Sequence, residues 1–331
     1  MSKKISLFLF VILAGPTLLF AKTRIGIISD YQYCGEREIA WRVKRAAEQL
    51  GWDVFLDEQQ GRRIATMKKL DWTISLVPPR YKPPCRNYMT VFHPFGFLDE
   101  ENKMLPIFES FDGYLLTIQP SFFEGTFRSG TKQFFSIPFY PTTQPVPYKE
   151  LSLNGLVTLF PVWGDRTTQE KYKTLYRMLS RSGLTKFYGS KDNEGIIQEG
   201  YMGTLPYDGI SVINALQKHG ITLIIHSSTH REEGLPSGRI FEAAAASTVI
   251  ISDENPFVKR HFGNTVYYID VTLPAEELFA QIVERMEEIT RNPEIALAKA
   301  KEAHQIFTDH FQMTDQLLLI DAMHKKIGNE T

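Results

Sequence analysis

Residues 234–253 leave the chain little choice of local structure. A polar turn, Gly234-Leu235-Pro236-Ser237-Gly238, runs into Arg239 to Ala246, made almost wholly of strong helix formers. Thr248-Val249-Ile250-Ile251 follows as a β-branched strand and stops at Ser252-Asp253. A helix this short is not stable alone, so it must be packed on a sheet. Its four consecutive alanines, Ala243 to Ala246, let it lie close to its neighbours. The first turn exposes backbone N–H groups at the positive end of the helix dipole and can hold an anion such as a diphosphate. Arg239 adds charge there. Glu242, about one turn further in, can accept two hydrogen bonds from a ribose diol.

The same alternation opens the chain proper. Thr23 to Ser29 reads as a buried strand bounded by Asp30, and Ile39, Val43, Ala46, Ala47 and Leu50 fall on one helical face of the stretch that follows. Gly51 ends that helix, and Trp52 to Leu56 is the next strand, which makes a βαβ unit and so the start of a parallel sheet. No GxGxxG follows the first strand, so a dinucleotide site of that kind is not supported. Further short strands fall at 70–77, 88–92 and 111–117, with Pro78-Pro79, Pro83-Pro84 and Pro94 in the loops that leave them. Ligands of an open α/β sheet sit beyond the carboxyl ends of its strands. That rule puts residues 30–35 and His93-Pro94-Phe95-Gly96 at the mouth of a cleft. His93 is the candidate catalytic group, since an imidazole near neutrality serves as general base or hydrogen-bond donor.

Residues 138–147 hold four prolines in PFYPTTQPVP, an extended, stiff stretch that breaks the rhythm and reads as a linker between two lobes. Beyond it come strands at 156–160, 184–188, 221–226, 248–251 and 266–269, with helices at 170–180, after Asp208, 274–291, 293–311 and 313–327. The strand at 221–226 delivers Ser227 to Arg231 to the cleft edge, where His230 meets the Gly234 turn. The run Leu317-Leu318-Leu319-Ile320 needs burial, which implies a last helix crossing back onto the first lobe. At 331 residues there is room for two cores. A net charge of −1 favours neither nucleic acid nor an anionic membrane surface as a bulk partner. The eight histidines form no metal-ligand pattern, and Cys34 and Cys85 stand far apart.

The block Ser237-Gly238-Arg239-Ile240-Phe241-Glu242, then Ala243 to Ala246, then Ile250-Ile251-Ser252-Asp253, resembles the donor-binding half of group 1 glycosyltransferases of the GT-B fold. More narrowly, it resembles their CgeB-like (spore-maturation-protein-like) branch, and Tyr140-Pro141-Thr142 and Asn255-Pro256-Phe257 extend the likeness. Two departures stand out: Ser247 occupies a position where many relatives have Gly, and Glu233 and Glu242 are separated by eight residues instead of seven. The resemblance implies an α/β fold of two Rossmann-like lobes facing a cleft. Residues 22–140 would form an acceptor lobe, 141–150 the linker, 151–311 a nucleotide-sugar donor lobe, and 312–331 a helix crossing to the first lobe. It also implies metal-independent transfer of a sugar from a nucleotide-sugar donor to an acceptor hydroxyl of a glycan, lipid-linked or protein acceptor. The donor is a co-substrate, and no cofactor is implied. Ser237, Gly238, Arg239 and Arg166 would hold the diphosphate, Glu242 the ribose, and His230 the cleft edge beside them. Two rivals share the pattern: an exported two-lobed solute-binding protein, and a glycosyltransferase-like saccharide binder without catalysis.

Residues 1–21 begin with Lys3 and Lys4 and continue with an apolar run from Ile5 to Phe20, broken by Gly15-Pro16, before Ala21. That is the pattern of a signal peptide or membrane anchor. It implies export to the periplasm or beyond, or attachment to a membrane through residues 5–21. An anchor that keeps the bulk on the cytoplasmic side is also compatible with it.

Overall fold

The computed structural model describes residues 22–32, 34–92, 111–117, 137–160, 164–189, 195–197 and 199–329. Two parallel sheets organise them. The first is built from β1 (Arg24–Ile28), β2 (Asp53–Asp57), β3 (Trp72–Ser75), β4 (Arg86–Val91), β5 (Gly113–Leu116) and β6 (Ile137–Pro138), in the order β2-β1-β3-β4-β5-β6. Helix α1 (Cys34–Gln49) makes the crossover from β1 to β2, which pair in register from Arg24 opposite Asp53 to Ile28 opposite Asp57. Ile25, Ile27 and Ile28 are fully buried, as the near-continuous apolar run of an internal parallel strand requires.

The second sheet comprises β7 (Gly155–Leu159), β8 (Thr185–Tyr188), β9 (Gly220–Ile224), β10 (Val249–Asp253) and β11 (Val266–Ile269), in the order β11-β10-β9-β7-β8. Its helices are α2 (Asp165–Thr168), α3 (Glu170–Arg181), α4 (Ser211–His219), α5 (Ser228–Glu232), α6 (Gly238–Ala245) and α7 (Pro256–Phe262). Beyond β11 come α8 (Ala275–Arg291), α9 (Pro293–His310) and α10 (Met313–Asn329). The strands alternate between two cores. Leu156, Ile221, Leu223, Val249 and Ile251 pack with α3 and α8, whereas Val157, Ile224 and Ile250 pack with α4, α6 and α7.

In both sheets the winding direction reverses at one place: between β1 and β3 in the first, and between β7 and β9 in the second. Such switch points leave a crevice at the carboxyl edge where ligands bind. The connection between the sheets is extended but not loose. Thr142 and Thr143 are fully buried, Thr142 Oγ1 donates to the Phe311 carbonyl at 2.6 Å, and Met313 N donates to the Thr143 carbonyl at 2.9 Å. Tyr140 sits among Phe241, Phe257 and Phe311, with ring centroids 5.4–5.8 Å away.

Helix α10 leaves the second sheet and lies on the core of the first, where Met313, Leu317 and Ile320 join Ala40, Val43 and Ala47 of α1. Trp72 Nε1 donates to Asp321 Oδ1 at 3.3 Å, and Tyr88 OH meets His324 Nδ1 at 2.9 Å. The expectation that the whole Leu317–Ile320 run is covered does not hold. Leu318 and Leu319 are 48% and 51% exposed, because four consecutive residues span most of a helix circumference and only i and i+3 share a face.

Candidate functional site

The turn before α6 ends at Ser237, whose extended backbone (φ −87°, ψ 156°) makes it the N-cap. Its hydroxyl does not cap the helix, and Ser237 Oγ is buried without a hydrogen-bond partner among the described residues. Gly238 opens the helix against the linker. A Cβ there would lie 3.0 Å from the Pro141 carbonyl and 3.7 Å from Arg42 Nη1, so the missing side chain is what admits the close approach. From Ile240 to Ala246 every residue is buried, and the alanines seat α6 against β9, α4 and α9.

Glu242 is 5% exposed and does not point into an open cleft. Its Oε1 accepts a 2.5 Å hydrogen bond from Nη2 of Arg42, which comes from α1 of the first lobe. Nε and Nη2 of Arg42 also donate to Glu38 Oε1, both at 3.2 Å, and Glu38 Oε2 accepts from Gly209 N at 3.3 Å. The other oxygen of Glu242, Oε2, is buried with no hydrogen-bond partner among the described residues; Arg239 Nη1 lies 3.9 Å away, beyond hydrogen-bond reach. Burial pushes the Glu242 carboxyl up, but Arg42 and Arg239 outweigh it and hold the group below its ordinary value. Glu38 goes the other way, raised by burial more than Arg42 lowers it. Burial disfavours the charged guanidinium of Arg42, and the flanking carboxylates of Glu242 and Glu38 more than offset that.

The switch point of the second sheet is occupied by residues that follow β7 and β9. Arg166 Nη1 donates to the Ile225 carbonyl at 3.0 Å, and Ser228 N donates to Asp165 Oδ2 at 3.1 Å. A cavity of ≈ 10 Å³, room for about one water, is lined in part by Thr158, Arg166, Tyr176, Arg239 and Glu242. Beside it, His226 and Asp253 form a fully buried pair, Nδ1 to Oδ1 at 2.7 Å, and Arg231 Nη1 approaches Asp253 Oδ2 at 3.5 Å. Burial pushes the Asp253 carboxyl up, and His226 followed by Arg231 brings it below its ordinary value. His230 pairs through Nδ1 with Ser227 Oγ at 2.6 Å, while Asn255 Nδ2 ties its carbonyl (3.1 Å) and that of Leu235 (2.9 Å) to the turn before α6.

Of the residues the sequence singles out, Ser237, Gly238, Arg239 and Glu242 lie together on α6, and Arg166 shares a cavity with Arg239 and Glu242. His230 is tied to the turn before α6 through its backbone carbonyl and Asn255. His93 lies outside the described residues, as do residues 1–21. The sequence reading passes over Arg42 and Glu38, and over the His226–Asp253 pair. Their signals were present: Glu38 and Arg42 are an i, i+4 ion pair flanking the apolar face of α1. His226 follows β9 and Asp253 ends β10, at the carboxyl edge of adjacent strands.

Residues 162–318, just under half of the chain, match the sequence model of the family described as Glycosyl transferase-like. No curated protein matches the sequence. Among solved structures, an alpha-glucosyltransferase (AGT) in complex with UDP is similar with a TM-score of 0.62 at 10% identity, over 92% of this chain and 99% of that one. A sucrose-phosphate synthase from Thermosynechococcus elongatus gives 0.56 at 11% identity, over 94% of this chain and 100% of that one. TarM from S. aureus is similar at 0.49 and 10% identity over 76% of this chain, which spans 55% of the length of that one. At such identities the likeness is one of fold. The two parallel-sheet lobes have the GT-B fold, and the second carries the sequence pattern of glycosyl transferase-like proteins.

Proposed function

We propose that the protein transfers a glycosyl group from a nucleotide-sugar donor to an acceptor hydroxyl. The observation that carries the reading is the start of α6, in a lobe whose sequence matches the glycosyl transferase-like family. There Ser237 Oγ and Glu242 Oε2 are buried without partners among the described residues, next to Arg239 and Arg166. A helix N-terminus with two arginines suits a diphosphate. A carboxylate oxygen one turn further in suits a hydroxyl, because it accepts and cannot donate. The leaving diphosphate would be stabilised by those backbone dipoles and guanidiniums, which is the metal-independent route. His93 is the proposed general base or hydrogen-bond donor near the reacting sugar.

The neighbouring alpha-glucosyltransferase is also solved with UDP and a 13-mer DNA. For this chain the net charge of −1 supports a glycan, lipid-linked or protein acceptor over nucleic acid. The block around Arg239 to Glu242 and Ser252-Asp253 supports placement in the CgeB-like branch. The basic and apolar pattern of residues 1–21 supports attachment to a membrane or export, which fractionation of cells tests directly.

The activity test is release of nucleoside diphosphate from a panel of nucleotide sugars, with and without a chelator. Turnover of one donor, unchanged by chelation and lost in Glu242→Ala, is the expected result. A folded protein that turns over none overturns the reading. Reversible saccharide binding without turnover would instead identify the non-catalytic rival.

A further inference from the structure

Arg42 is 3% exposed at its side chain and comes from the lobe opposite the proposed donor site, yet it ends on the carboxylate of Glu242. A guanidinium buried between two carboxylates is costly to desolvate. What it does is divide the labour of Glu242. Oε1 is taken by Arg42 at 2.5 Å, and both oxygens of Glu38 are engaged, Oε1 by Nε and Nη2 of Arg42 and Oε2 by Gly209 N. Among the described residues, Oε2 is then the one oxygen of this carboxylate pair left without a hydrogen bond. A buried carboxylate oxygen without a donor is destabilising, and it can accept from a hydroxyl but not from an anion.

Arg239 stands 3.9 Å from Oε2 on the same turn of helix, and its own side chain is 37% exposed. A diphosphate at the helix N-terminus would meet Arg239, and a hydroxyl would meet Oε2.

We propose that Arg42 is a positioning residue for the donor nucleotide: it holds Glu242 Oε1 from the first lobe and so presents Oε2 to the ribose hydroxyls. The proposal rests on the nucleotide-sugar reading above and adds to it a dependence on both lobes. On this proposal ribose recognition depends on the contact between α1 and α6.

The test is calorimetric. UDP, GDP, ADP and CDP are titrated into the full chain, and the tightest is compared with its 2′,3′-dideoxy counterpart. Wild type is expected to prefer the ribonucleotide by roughly ten- to a hundred-fold, the worth of hydrogen bonds to a charged acceptor. Glu38→Gln with Arg42→Met, which removes the guanidinium without leaving Glu38 as an unpaired buried charge, is expected to reduce that preference to about three-fold or less. Arg42→Lys keeps the charge and loses the fork. It is expected to bind the ribonucleotide while losing part of the preference, and it carries the test if the double variant does not fold.

A folded variant that keeps the wild-type preference, or that loses both ligands equally, makes Arg42 merely structural and overturns the proposal. Equal binding of both ligands by wild type overturns the ribose role of Glu242 while leaving the nucleotide reading intact. No binding of any of the four nucleotides overturns both.

Discussion

Glu38, Arg42 and Glu242 leave water together, and their mutual hydrogen bonds offset a desolvation cost of several kcal/mol per ion. Removing one partner should therefore cost more than the trio contributes. Arg42→Ala is expected to destabilise by about 3–5 kcal/mol in denaturant unfolding, because two carboxylates stay buried without it. The pH dependence has a definite sign. Glu242 is held below its ordinary value, so its contribution is fully present above the unfolded pKa of about 4.3 and is lost as pH falls through the lower folded value. The stability advantage of wild type over Glu242→Gln should be flat near neutrality and shrink below about pH 4. An advantage that grows on acidification would contradict the assignment. Ser247 offers a second check at this scale. It sits at φ 62°, a left-handed conformation that glycine adopts without strain, which gives physical content to the Gly found there in resembling proteins. Its hydroxyl compensates, accepting from Lys149 N at 3.2 Å and meeting His304 Nδ1 at 3.3 Å. Ser247→Gly is expected to fall within about 1 kcal/mol of wild type, while Ser247→Ala loses the bonds and keeps the strain, costing about 1–2 kcal/mol. Thermal unfolding separates the two.

At the scale of elements, what the sequence made legible tracks how local its causes are. Helix α6 could be read from ten residues, because its propensity, small side chains and flanking turn all act within that span. The end of α4 at Gly220 (φ 83°) could be read for the same reason, but its start could not. The N-cap is Ile210, with no side-chain cap, and Asp208 instead holds the turn before it, accepting from Ile210 N and Ser211 N at 2.9 and 2.8 Å. Helix α10 was legible as a helix on the first lobe, but its register was not, since a run of four apolar residues does not say which two face inward. The structure separates them. Leu317→Ala should cost about 2–5 kcal/mol through the cavity it leaves, and Leu318→Ala should stay within about 0.5 kcal/mol. Equal effects would mean that α10 packs with a different face.

At the scale of the whole molecule, two sheets wound in the same order meet across a short, buried connection. Strand and helix periods made that α/β plan readable, because a parallel sheet buried on both faces leaves runs too apolar to be anything else. The contacts between lobes were not readable. Arg42 and Glu242 are 200 positions apart, and no local pattern links them. The same holds for Gly209, whose φ of 75° and missing side chain let its loop lie on the backbone of α1, where a Cβ would come within 3.1 Å of Arg42 N. A change at either place should therefore act on the relation between lobes before it acts on either core.

In the proposed function the start of α6 holds the donor diphosphate. The most direct measurement of that role is calorimetric binding of the preferred nucleoside diphosphate and of the parent nucleoside to wild type and to Arg239→Ala. The variant should bind the diphosphate about 1.5–3 kcal/mol more weakly, as for a lost charge-assisted hydrogen bond, with nucleoside affinity unchanged. Equal weakening of both ligands, or diphosphate affinity untouched by the substitution, would place the phosphates elsewhere and contradict the account.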